Sequence, residues 1–92
     1  MGYLYILMCA DGTFYVGSTR NLVRRTFEHR QGLAAEYTKT RLPVRLVYFE
    51  QYDRASEAWG RERLIHGWTR SKKKRLIREG PGVRVEDESQ LF

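Results

Sequence analysis

The strongest constraint in this 92-residue chain is a pair of β-rich runs separated by one turn signal. Gly2 to Cys9 is dense in Tyr, Leu, Ile and Met, Thr13 to Ser18 is aromatic and β-branched, and Ala10-Asp11-Gly12 between them has turn chemistry. The spacing predicts a β-hairpin, and the loop length decides which side chains share a face. A two-residue loop would set Tyr5 and Tyr15 on opposite faces. A three-residue loop with Gly12 left-handed pairs Cys9 with Thr13, Leu7 with Tyr15 and Tyr5 with Gly17, which brings both tyrosines to one face.

Beyond the hairpin, Thr19 or Asn21 caps a predicted helix running to about Gln31, with Gly32 as its stop. A polar connection leads to Pro43, after which Val44-Arg45-Leu46-Val47-Tyr48-Phe49 reads as a third strand. Asp53 or Ser56 caps a second helix to about Trp68, whose sheet-packing face is read as Ala55, Ala58, Trp59, Glu62 and Ile65. Ser71 caps a short basic helix ended by Gly80-Pro81-Gly82. The expected fold is α+β, a three-stranded antiparallel sheet flanked by helices. Residues 1–80 form the single domain, and residues 81–92, with Glu86-Asp87-Glu88, are expected as an acidic, mobile tail.

No apolar run approaches the roughly 20 residues that a spanning helix needs, so the expectation is a soluble cytoplasmic protein. Cys9 has no second cysteine for a disulfide or a zinc site and is read as a core residue. Residues 54–78 hold nine Arg or Lys against Glu57 and Glu62 alone, a surface that attracts polyanions. The basic stretch lacks the broad apolar face that membrane binding requires.

Glu62 is the conspicuous residue, because a carboxylate within an apolar helical stripe must find a cation, a metal or hydrogen-bond donors. Standing alone it would read as half of a structural ion pair with an arginine. Tyr5, Tyr15 and Arg25 lie on elements that can converge with it at one edge of the sheet.

Taken in order, these residues resemble the GIY-YIG nuclease superfamily, in particular its small stand-alone bacterial members. Tyr3-Leu4-Tyr5 stands for the first motif and Tyr15-Val16-Gly17 is the second, with Arg25 ten residues further on and His29 in the same helix. Glu62-Arg63-Leu64-Ile65 matches the family's metal-binding glutamate, and Tyr37-Thr38, Pro43 to Val47 and the basic 70–74 stretch are lesser cues. The chain departs from the pattern at Tyr3-Leu4, at Ser18 and at His66, the last two standing where lysines are common.

The resemblance implies a divalent-metal-dependent endonuclease, with Mg2+ or Mn2+ on Glu62, Arg25 on the phosphate and a motif tyrosine, Tyr5 or Tyr15, as general base. His29 orients Tyr5, contacts the phosphate or packs. The substrate is nucleic acid, with DNA favoured over RNA and single-stranded or structured DNA among its forms. It is expected to lie on Arg24 and Lys39 and on the basic helix through Arg70, Lys72, Lys73, Lys74 and Arg75. A protein partner or a homodimer is open. The alternatives are a basic nucleic-acid-binding module without catalysis and an interaction protein docking on an acidic partner.

Overall fold

The computed structural model describes residues 1–90. Strands β1 (Gly2–Met8) and β2 (Phe14–Thr19) lead to helices α1 (Leu22–Arg30) and α2 (Glu36–Lys39). Strand β3 (Arg45–Tyr52), helices α3 (Ala55–His66) and α4 (Arg70–Glu79), strand β4 (Val83–Arg84) and a 3-10 turn at Glu88–Gln90 follow. The sheet is antiparallel in the order β2-β1-β3-β4, so β2 is an edge strand.

The hairpin follows its turn chemistry. Cys9 N–H donates to the Thr13 carbonyl, Gly12 has φ +83°, and the register pairs Leu7 with Tyr15 and Tyr5 with Gly17. Side chains therefore alternate cleanly between two faces. One face carries Tyr5, Leu7, Cys9 and Leu46 under α1, with Leu22 as the helix's main apolar contact. The other carries Leu4, Ile6, Val16 and Tyr48 under α3 and α4, which contribute Ile65 and Leu76. A bulge opposite Ile6 and Leu7 lets Val47 and Tyr48 both join this second layer.

Several expectations need correction. The sheet has four strands rather than three, because Val83–Arg84 pairs with Tyr48 and Phe49 and Val85 N–H reaches the Val47 carbonyl. That strand comes from the segment expected as a mobile tail, and burial of Val85 in the α1-side core is what attaches it. The last two residues of that segment, 91 and 92, lie outside the described residues. The polar connection contains α2, a single turn placed by buried Thr38.

Asn21 caps α1 as one reading had it, but the cap of α3 is Arg54 rather than Asp53 or Ser56, and the Glu57 carboxylate accepts from the Arg54 backbone N–H. The cap of α4 is Thr69, whose hydroxyl accepts from Lys72 N–H, and Ser71 lies inside the helix. Trp59 does not pack on the sheet. Ala58 and Ile65 set the buried direction of α3, and Trp59 falls about 100° from Ala58, where its exposed ring lies under the Arg63 guanidinium. No helix of the described residues is long and apolar enough to cross a membrane.

Candidate active site

The candidate residues gather around the β2 edge. Tyr5 projects from β1 towards α1 and is almost wholly buried, with its hydroxyl 2.7 Å from His29 Nε2. On the far side of the imidazole, Nδ1 lies 2.9 Å from Thr38 Oγ1, and the threonine hydroxyl donates onward to the Ala35 carbonyl at 3.2 Å. This chain fixes the proton positions. Because Thr38 gives its own proton to a carbonyl, it accepts from His29 Nδ1–H, which leaves Nε2 as the lone pair that takes the Tyr5 proton. Burial, aided by the Arg25 charge, lowers the His29 pKa to about 4, so the ring is neutral as that pattern requires.

Tyr15 packs beside this pair, its ring centroid 5.0 Å from His29, 6.4 Å from Tyr5 and 6.1 Å from the nearly parallel ring of Tyr37. Desolvation pushes the Tyr5 phenol well up from its ordinary value, with Tyr15 adding to the rise and the neighbouring Arg25 opposing it. Tyr15 is raised by its burial and then by the negative charge of Glu62, again against Arg25. Arg25 is held in turn by Glu28, whose Oε1 accepts from Nε at 3.1 Å.

Gly17 is part of the same assembly. A β-carbon there would stand 2.5 Å from the Tyr5 hydroxyl, so Tyr5 reaches His29 only over a bare stretch of β2. The next residue, Ser18, projects to the opposite face and donates to Glu62 Oε1 at 2.6 Å. The tyrosines and the glutamate thus approach the edge strand from its two sides. Glu62 makes no ion pair among the described residues, which removes the structural-pair reading. The carboxylate in an ion pair on this face is Glu50, buried with Arg61 Nε at 2.9 Å and with the Tyr48 and Tyr52 hydroxyls each at 2.6 Å. Its placement was missed because Glu50 lies at the end of an apolar run, with nothing in the sequence to show that its partners would surround it.

For a metal, the donor chemistry is narrow. No group of three or more His, Cys, Asp or Glu among the described residues can hold an ion, so nothing resembles a closed zinc site. A single carboxylate with one oxygen steadied by a serine hydroxyl suits a hard cation whose other ligands are water and substrate oxygens.

The basic residues divide. Arg70, Lys73 and Lys74 line hollows beside β2. Lys72 lies over the Trp68 ring at 4.2 Å, and Arg75 is exposed near Glu79. Arg24 lines a shallow depression with Arg20 and Arg25, and Lys39 is exposed on α2. His66 lies one turn beyond Glu62 and lines a hollow with Tyr15, Tyr37 and Lys73. Ser18 and Thr38 carry the two polar links of the site. Sequence gave Ser18 only as a departure and Thr38 only as half of a dipeptide.

A model of the GIY-YIG catalytic domain matches residues 1–75. A UPF0213 protein of Staphylococcus saprophyticus is 46% identical over 78 residues, covering 85% of this chain and 95% of the relative. One of Natronomonas pharaonis is 46% identical over 80 residues, covering 87% and 94%. The solution NMR structure of the UPF0213 protein BH0048 from Bacillus halodurans superposes with a TM-score of 0.56 at 37% identity, covering 88% of each chain.

Proposed function

The chain belongs to the GIY-YIG catalytic domain family, and on that premise we propose that it is a divalent-metal-dependent endonuclease hydrolysing phosphodiester bonds, with DNA as the favoured substrate. The observation that carries the reading is Glu62, a carboxylate without an ion pair among the described residues, steadied by Ser18 beside two tyrosines and an arginine. A hard cation such as Mg2+ or Mn2+ held by Glu62 supplies charge neutralisation at the phosphate and at the departing oxygen.

The protein groups divide the remaining work. Arg25, fixed by Glu28, offers a permanent positive charge to the phosphoryl oxygens. A motif tyrosine takes the proton of the attacking water. Tyr5 is the better connected of the two, since its own proton is already directed at His29 Nε2, while its raised pKa keeps it protonated at rest. Proton transfer from water to the Tyr5 oxygen as the Tyr5 proton moves to His29 balances the step, with Thr38 holding the ring in the receptive tautomer.

The test is cleavage of duplex, branched and single-stranded DNA and of RNA, with and without chelator. Wild type cuts only with the divalent ion, and Glu62→Gln abolishes cutting while its folding and its gel shift persist. Arg25→Ala lowers turnover by about a hundredfold or more without altering metal affinity. A Glu62→Gln protein that cuts at the wild-type rate ends the catalytic assignment. Binding without metal-dependent cutting favours the non-catalytic module.

A further inference from the structure

Two hollows beside β2 and a third that crosses the sheet under α4 meet at Phe14, which lines all of them. The first holds Tyr15, Tyr37, His66 and Lys73, so it opens directly from the candidate site. The second keeps Tyr37 and Lys73 and adds Thr13 and Arg70 in place of Tyr15, Val16 and His66. The third is a groove of about 390 Å3 on the α4 side of the sheet, with an apolar floor that includes Met8, Val47 and Ile77 and a rim of Arg45, Lys74, Arg78 and Arg84. Of these, Arg84 lies 3.6 Å from Glu86 and Arg78 3.5 Å from Glu79, exposed pairs that leave the rim net positive.

Helix geometry explains why the cations line up. Arg70, Lys73, Lys74, Ile77 and Arg78 recur at spacings of three and four, so one stripe of α4 faces these hollows along its length. Lys72 and Arg75 fall off that stripe, one on Trp68 and the other near Glu79. Continuity to the cleft is aromatic, through the stacked rings of Tyr15 and Tyr37 and then Phe14, over which the Arg70 guanidinium lies at 4.8 Å.

We propose that a nucleic-acid strand bound at the β2 edge beside Tyr15 and Glu62 continues past Phe14 into the α4 groove, whose arginines and lysines bind its phosphates some nucleotides away from the cut. The proposal rests on the endonuclease reading and adds a distal binding site to it. Excess positive charge along the rim selects a polyanion. An acidic protein segment would match the charge of the rim but would have no use for the unbroken connection to the cleft.

The test is fluorescence anisotropy with labelled oligodeoxynucleotides of increasing length, in chelator, using the full chain. Wild-type affinity rises with length until the groove is filled. Arg45→Glu with Arg78→Glu abolishes that rise and weakens the longest oligonucleotide by about tenfold or more. Lys72→Glu with Arg75→Glu makes the same charge change off the groove and weakens all lengths by one common factor. Arg45→Gln with Arg78→Gln repeats the measurement if the reversed charges disturb folding, and thermal unfolding checks each protein. Parallel losses from both pairs at every length overturn the groove, because net charge alone then accounts for binding. Competition by polyglutamate as effective as by DNA of equal charge overturns it in favour of an acidic protein partner. The endonuclease reading fails separately, through binding by the wild type without any metal-dependent cutting, whatever the length dependence shows.

Discussion

Two polar clusters of one sheet, one buried under α3 and the other at the β2 edge, hold tyrosines and carboxylates in different settings. On the α3 side, Glu50 accepts from Tyr48, Tyr52 and both branches of the Arg61 guanidinium. Burial alone would raise its pKa, but these donors bring it below the ordinary value, while desolvation and hydrogen bonding to Glu50 raise Tyr48 and push Tyr52 up to about 12. Every lone pair there is used. At the β2 edge, Glu62 takes one hydroxyl and no cation among the described residues, and Tyr5 hands its proton to a neutral imidazole rather than to a carboxylate. The difference teaches that polar burial has two uses, and that the completeness of pairing separates them. A saturated cluster fixes structure, whereas an unsaturated carboxylate retains capacity for a ligand.

The largest effect that sharpens this contrast comes from matched amide substitutions. Glu50→Gln leaves Arg61 without its charge partner and should cost about 3–5 kcal/mol, lowering Tm by roughly 12 °C or more, while the protein that remains folded keeps its activity. Glu62→Gln should shift Tm by no more than a few degrees while cutting is lost. Thermal unfolding beside a cleavage assay reads both, and equal losses of stability would erase the distinction.

Next in size is the pH dependence of folding that His29 introduces. Its pKa is about 4 in the folded protein and 6.5 as a free side chain, so between these values the unfolded chain binds a proton that the folded chain does not. Its stability contribution is fully present above pH 6.5 and is lost as pH falls towards 4, by about 3 kcal/mol in all. Denaturant titrations across that window should show this slope, and His29→Gln should remove it. An unchanged slope in the variant would assign the effect to other groups.

A smaller effect is expected at Gly17. The added methyl group of Gly17→Ala meets the Tyr5 ring, costs about 1–3 kcal/mol and turns the phenol away from His29. An NMR titration should then show His29 with a higher pKa and a disturbed ring environment. Wild-type His29 signals in this variant would mean that the contact relaxes without consequence.

Much of this was legible in the sequence, because short-range chemistry carried it. The Asp11-Gly12 turn set the register, and the register put Tyr5 and Tyr15 on one face. Helical spacing placed Glu62 on the sheet-facing side of α3 but put Trp59 there too, since neighbouring positions on a short helix differ only by angle. What remained hidden depends on contacts distant in sequence. Thr38 finds His29, Ser18 finds Glu62 and Arg61 finds Glu50 only once the chain has folded. The fourth strand was missed for a related reason. Val83–Arg84 is too short to read as a strand by itself, despite the β propensity of Val83, and becomes one because β3 offers an unpaired edge.

The close approach of Tyr5 to Gly17 also bears on how such a sequence can change over time. Its two motifs, separated along the chain, meet as one steric unit in which the bare backbone of one makes room for the phenol of the other. Drift at either position is therefore not independent. A larger residue 17 is tolerated only in a lineage whose residue 5 has shrunk or turned away, and that lineage has by the same step given up the bond to His29. Paired variation at positions 5 and 17 across related chains would thus mark where the imidazole connection has been abandoned, without an assay of any member.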